Sequence, residues 1–394
     1  MENTRHNSGG TRVLNFSAGP GLMPLSVLER AAREMTSFSE GHSVMEVSHR
    51  SPAFEAVLAA TEASFRALLA VPDNYKVLFM QGGATLQFST VALNLIGADA
   101  DAKVDYVVTG AWSEKAAQEA QRLLGKDRVN VVVSTKAANH NGDIPSSDSW
   151  VWSQKQAYVF YCDNETVHGV EFGADQFPFH AIPQDVPIIC DMSSNILSTP
   201  IDVSKYGLIF AGAQKNMGPS GVTVVIIRED LLAPHRKHPT TPLPTLLDYS
   251  IYATSQSMHN TPPTYPIYIC GLIFDWLQRD IGGLARMRDI NARKAAAVYT
   301  AIEDSKGFYV CPVVRPEFRS RMNVPFLVRP TRGADSDADK RAEKAFLKEA
   351  EERGMVQLAG HRSVGGLRAS LYNAMPLEGV EFLVAYMKEF AARY

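Results

Sequence analysis

The stretch LIFAGAQKNMGPSG, residues 208–221, decides how this chain is read. Its first five residues, Leu208 to Gly212, are apolar throughout, as expected of a short strand covered on both faces. Beyond Gly212 the composition turns at once to small residues and glycines around Lys215. A lysine just past a buried strand loses part of its hydration, which lowers its pKa and favours the neutral amine needed for a Schiff base. The small neighbours leave room for a planar ring to approach the backbone. Most lysines are solvated surface charges, so the surroundings of Lys215 must carry the argument.

Working outward, similar runs recur at KVLFM (76–80), VDYVVT (104–109), VNVVVS (129–134), AYVFYC (157–162), VPIICD (186–191) and VTVVIIR (222–228). Helical spacing follows the first two, over 85–96 and 113–124. Strand, helix and strand in succession predict an α/β domain with a mostly parallel, seven-stranded sheet. A proline-rich passage (Pro239, Pro242, Pro244, Pro262, Pro263, Pro266) leads into a helix over 267–280. The pattern then changes to long helices over 283–303 and 335–353 with a strand over 323–328. The expected division is a tail over 1–14, a large α/β domain over 15–267 and a smaller α+β domain over 268–394.

Ligands of open α/β sheets bind beyond the carboxyl ends of the strands. Asp191 ends one run and should sit near Lys215, where an acid can pair with a protonated pyridine nitrogen and make the ring an electron sink. Taken alone, a strand-end acid is more often a cap. Gly82-Gly83-Ala84-Thr85 lies between a strand and a helix, where free backbone N–H groups and the helix dipole attract an anion. It lacks the lysine of a P-loop and the spacing of a dinucleotide fingerprint. Trp112, in a Gly-Ala-Trp-Ser turn, offers a stacking face, although an isolated tryptophan is more often core. Two His-Arg pairs, His49-Arg50 and His361-Arg362, stand beside small residues, with Arg368 six positions after the second. Arginine suits a two-pronged grip on carboxylate or phosphate, and histidine adds a nearby donor.

A formal charge of -3 over 394 residues argues against broad nucleic-acid binding, so a small anion must be held by a few local cations. Cys162, Cys190, Cys270 and Cys311 lie far apart and three sit in apolar runs, which predicts buried free thiols and no metal site. No apolar stretch approaches the roughly 20 residues of a membrane span. The polar residues Met1–Arg12 read as a loose tail without a targeting pattern, which makes the cytoplasm the expected location.

The block Ala211–Asn216, with Asp191 upstream and His361–Arg368 downstream, resembles the phosphoserine aminotransferase family, within the class V pyridoxal-phosphate-dependent aminotransferases. Asn15–Pro20, Ser43–Ser51, Gln81–Gly83, Thr166–Glu171 and His259–Pro263 carry the resemblance in order along nearly the whole chain. It implies a fold-type-I pyridoxal-phosphate fold and a homodimer with shared active sites. It implies that Lys215 bonds the cofactor covalently and shuttles the substrate proton, with Asp191 at the pyridine nitrogen, Trp112 stacked on the ring and Thr166 at the ring hydroxyl. The cofactor phosphate would be held by Ala84, Thr85 and Gln214, with Asn260 and Thr261 from the partner. Arg368 would bind the α-carboxylate. His49, Arg50, His361 and Arg362 would bind the substrate phosphate, with Ser17 in the same pocket. Where Ala84-Thr85 stands, members often carry Gly followed by Arg or Cys, so a side-chain cation to the phosphate is missing. The implied reaction passes the amino group of glutamate to 3-phosphooxypyruvate, and a four-carbon analogue in vitamin B6 synthesis is a further implied substrate. Alanine–glyoxylate or serine–pyruvate transamination would need no second His-Arg pair. A cysteine desulfurase would need a mobile cysteine, and a non-catalytic binding protein on the same scaffold would not need Lys215 and Asp191 together.

Overall fold

A computed structural model describes residues 12–135, 144–173, 176–331 and 337–394, so most of the Met1–Arg12 tail and the first positions of the helix expected from 335 lie outside the described residues. All seven apolar runs form strands of one sheet: β1 (Tyr75–Met80), β2 (Lys103–Val108), β3 (Val129–Ser134), β4 (Gln156–Cys162), β5 (Ile188–Asp191), β6 (Leu208–Gly212) and β7 (Thr223–Arg228). Their order is β1-β7-β6-β5-β4-β2-β3. Only β7 runs antiparallel to its neighbours, between β6 and β1. The fold is α/β with a mostly parallel seven-stranded sheet.

Register lines up the ends that matter. Cys162 pairs with Asp191, and Asp191 pairs with Phe210. Met80 and Gly212 both face Thr223 across β7, so the turn after β1 and the segment carrying Lys215 leave the same edge of the sheet.

The helices after β1 and β2 span Gly83–Leu95 and Ala111–Leu124. Each starts two residues before the expected position, at Gly83-Ala84 and at Ala111-Trp112. The helix Pro52–Leu69 shows ordinary start chemistry, with Pro52 at its first position and Ser51 accepting from the Phe54 amide. Phe54, Leu58, Thr61, Phe65 and Leu69 form its buried stripe.

A second core forms around an antiparallel sheet of Tyr309–Val310, Asn323–Val328 and Leu367–Ser370, covered by the helices Asp337–Glu352 and Leu377–Ala391. Phe16 is fully buried in this core, and the short strand Leu14–Asn15 pairs in parallel with Met355–Val356. The first described residues therefore join the C-terminal unit, whereas sequence placed residues from 15 onward in the large domain. The helix Thr264–Trp276, where the boundary at 268 was expected, packs in the core under the main sheet. The helix Leu284–Asp304 joins both cores, giving Leu284 and Met287 to the first and Val298 and Ile302 to the second. Cys162, Cys190 and Cys270 are buried free thiols, and Cys311 is half-buried. Among the described residues no helix is long and apolar enough to cross a membrane.

Candidate active site

The carboxyl ends of β1, β2, β4, β5 and β6 surround a cavity of 360 Å³. Asp191 closes β5 and is 4% exposed. Its Oδ1 accepts from the Ser193 amide at 2.8 Å. Burial raises its pKa, opposed by Ser193 and by the charge of Lys215. Lys215 follows β6 by three residues and lines the same cavity. Burial lowers its pKa, with Asp191 and Glu165 pulling the other way. Its Nζ sits 5.8 Å from the centroid of the Trp112 ring.

Trp112 is held from two sides. Its Nε1 donates to Thr166 Oγ1 at 2.8 Å, and its backbone N–H donates to Glu165 Oε2 at 3.0 Å. Glu165 Oε1 also accepts from the Ser113 amide at 2.8 Å and the Ser113 hydroxyl at 2.6 Å. A fully buried carboxylate thus caps the helix Ala111–Leu124 and meets its positive dipole end. Gly110 permits this approach, since a Cβ there would lie 2.5 Å from Glu165 Cδ. Glu165 stands just past the apolar run 157–162, yet nothing in the sequence gave it a role.

At the mouth of β1, Gly82 and Gly83 hold φ of +96° and +67°, a turn that L side chains rarely adopt. That turn opens the helix Gly83–Leu95 toward the cavity, where Gly83, Ala84 and Thr85 line the wall together with Gln214. On the opposite wall Arg368 donates from Nη1 to the Thr166 carbonyl at 3.0 Å. Its buried Nε has no hydrogen-bond partner among the described residues, and burial lowers its pKa. A half-buried guanidinium with an unmet donor is suited to an anionic ligand. His361 shares this wall, its Nδ1 lying 2.7 Å from Ser363 Oγ. Burial lowers its pKa, and Arg368, Lys115 and Arg362 push in the same direction.

An adjoining cavity of 680 Å³ is lined by Trp112, Lys115, His168, His361 and Arg362, so Trp112 and His361 stand between the two spaces. Nine of the expected residues line the first cavity: Ala84, Thr85, Trp112, Thr166, Asp191, Gln214, Lys215, His361 and Arg368. Arg362 lines only the second. His49, Arg50, Asn260, Thr261 and Ser17 line neither. The Ser17 hydroxyl instead accepts from the Gly19 amide at 3.2 Å, shaping the turn that covers Lys215. The Thr261 carbonyl accepts from Gln81 at 3.4 Å in an exposed position.

The planar indole, the buried acid, the amine and the helix start fit pyridoxal phosphate: an aldehyde for Lys215, a ring nitrogen for Asp191, a ring face for Trp112 and a phosphate for 83–85. The Thr166 hydroxyl, already accepting from Trp112, keeps its own proton to donate to a ring oxygen. The family model of the class-V aminotransferases matches residues 13–383. The chain belongs to that family. This aminotransferase is 51% identical to a phosphoserine aminotransferase of Laribacter hongkongensis over 97% of its own length and 99% of the relative's. A phosphoserine aminotransferase of Acidithiobacillus ferrooxidans is 48% identical with the same coverage. The solved phosphoserine aminotransferase from Bacillus circulans superposes with a TM-score of 0.88 at 43% identity, covering 98% of this chain and 99% of that one. The pyridoxal-phosphate-bound phosphoserine aminotransferase from Trichomonas vaginalis gives 0.86 at 45% identity, covering 96% and 100%. An alanine–glyoxylate aminotransferase from Nostoc, at 17% identity, 0.70 and 99% of each chain, shares the fold alone.

Proposed function

We propose that this aminotransferase moves the amino group of L-glutamate onto 3-phosphooxypyruvate, giving O-phospho-L-serine and 2-oxoglutarate, with pyridoxal phosphate carried on Lys215. The observation that carries the reading is the meeting of Lys215, Asp191, Trp112 and Arg368 in one cavity. The near-full-length identity to phosphoserine aminotransferases supports the choice of substrates.

The cofactor, when bound, supplies an electron-poor ring able to hold the electron pair left by the departing Cα proton. The residues do the rest. Asp191 keeps a proton on the ring nitrogen, its own charge steadied by the Ser193 amide. Lys215, whose pKa is lowered by burial, would take the Cα proton and return it to the carbon on the far side of the substrate nitrogen. Arg368 orients each substrate by its α-carboxylate, its Nε having no hydrogen-bond partner among the described residues. The amides at 83–85 and the Gln214 side chain hold the cofactor phosphate.

His361 and Arg362 receive the distal anion, which is a carboxylate in glutamate and a phosphate in the acceptor. A dianion gains more from clustered cations than a monoanion does, which sets the preference. In this reading the active unit is a homodimer. His49 and Arg50 reach the substrate phosphate, and Asn260 and Thr261 the cofactor phosphate, of the second copy. Their absence from both cavities of their own chain supports that arrangement. Ser17 acts on the turn over Lys215 in place of the substrate, and the free buried thiols suit the cytoplasm.

The test is a glutamate-coupled assay of 3-phosphooxypyruvate against pyruvate and glyoxylate, run beside Lys215→Ala. Strong preference for the phosphorylated acid and loss of the borohydride-fixed lysine adduct are expected. Equal use of pyruvate or glyoxylate overturns the substrate, and an unchanged adduct in the variant overturns the role of Lys215.

A further inference from the structure

Lys294 is a fully buried cation on the helix Leu284–Asp304. Its Nζ donates to three backbone carbonyls, those of Leu371 at 2.8 Å, Tyr372 at 2.9 Å and Met375 at 3.1 Å. An ammonium has three N–H donors and all three are used; a neutral amine would leave one carbonyl unmet. Burial pushes the Lys294 pKa down to about 7, and carbonyl dipoles are what hold the charge in place.

The turn gripped by this ammonium touches the Lys215 segment on two sides. On one side, Tyr372 Oη donates to the Ala18 carbonyl at 2.6 Å, and its ring lies so close to Gly21 that a Cβ there would be 2.8 Å from Cδ2. The Gly21 amide in turn donates to the Gln214 carbonyl at 2.7 Å. On the other side, the Asn373 amide donates to Asn216 Oδ1 at 2.9 Å. One turn earlier on the helix, Asn291 Nδ2 bonds Asn373 Oδ1 at 2.9 Å and the Ser198 carbonyl at 3.1 Å. The same turn directly continues the strand Leu367–Ser370, which carries Arg368.

We infer that Lys294 is a positioning residue whose ammonium, through the 371–375 turn, fixes the separation between Arg368 and the Lys215 segment. Neither Lys294 nor Tyr372 lines the cavity, so the effect travels through the turn. The two ends it joins are the group that receives the α-carboxylate and the amine that moves the proton. A loosened turn therefore costs substrate grip first, while the cofactor keeps its ring and phosphate contacts. This inference rests on the roles proposed above for Lys215 and Arg368.

The test uses the holoenzyme, with Lys294→Met, Lys294→Gln, Tyr372→Phe and the Lys294→Gln/Tyr372→Phe double variant. Expected are a rise of roughly 10-fold or more in KM for glutamate, a smaller change in kcat and a cofactor affinity within about 3-fold of wild type. Amide exchange at residues 18–21 should quicken in each variant, a readout independent of turnover. The double variant should show much less than the product of the single effects, because both changes cut one chain of contacts. A lysine holding only the core together would lower cofactor affinity, kcat and melting temperature in parallel, and that pattern overturns the inference. So does an unchanged KM in folded Lys294→Gln, or in Tyr372→Phe, which stands even if both lysine variants fail to fold. A wild-type enzyme inactive with glutamate would instead count against the proposed function.

Discussion

The indole N–H of Trp112 points at the hydroxyl of Thr166 across 2.8 Å, so the plane of the ring is set by a residue 54 positions away in sequence. Thr166→Val keeps the shape and removes the acceptor. Cofactor affinity should fall by roughly 30-fold, read from the absorbance of the bound coenzyme, since about 2 kcal/mol is lost: about 1 kcal/mol for the bond to the indole and about 1 for the bond proposed to the ring. Unchanged affinity would show that packing alone holds Trp112.

Glu165 caps the helix Ala111–Leu124 through the Trp112 and Ser113 amides. Glu165→Ala should lower unfolding stability by about 2–4 kcal/mol in denaturant titration, combining a lost cap with buried amides left unpaired. Gly110→Ala should damage the same contact by collision, given 2.5 Å from the new Cβ to Glu165 Cδ.

Arg368 should not tolerate lysine. The guanidinium already gives Nη1 to the Thr166 carbonyl and still has donors for a carboxylate, which a single ammonium cannot match in geometry. Arg368→Lys should raise KM for both glutamate and the phosphorylated acid by roughly 10-fold or more in steady-state assays, because each substrate carries the same α-carboxylate.

On the far side of the main sheet, a cleft of 720 Å³ is lined by Asp163, Glu171, Tyr206 and Arg319, among others. Burial, with Glu171 adding to it, raises the Asp163 pKa to about 7 from an ordinary 3.8. The folded protein therefore holds a proton there that the unfolded chain releases between about pH 4 and 7, and Asp163 costs stability progressively as pH rises across that window. Asp163→Asn should be close to wild type in melting temperature near pH 4 and more stable than wild type above pH 7. A pH-independent difference would refute the shifted titration.

The main sheet was legible because strands covered on both faces must be apolar throughout, and Tyr75–Met80 or Leu208–Gly212 cannot hide that. Asp191 and Lys215 were legible for the same reason, standing where such runs stop. Glu165 was not, because its cap reaches a helix start more than 50 residues away, and chain order says nothing of that distance. Lys294 was not, since a lysine among alanines reads as a solvated helix face until carbonyls are seen around it. The placement of Leu14–Asn15 escaped because a two-residue strand carries no period.

That short strand bears on how the enzyme is made. Synthesis runs from the amino end, and early parts of a chain begin to fold while later parts are still on the ribosome. Leu14–Asn15 must wait for Met355–Val356, and the Ala18 carbonyl for Tyr372. The large sheet can assemble long before then, yet until residue 372 is made the turn over Lys215 is tied to its neighbours through the Gly21–Gln214 bond without the Tyr372 contact. A product cut short before residue 355 would thus cover its reactive amine with a turn that lacks both of its C-terminal ties.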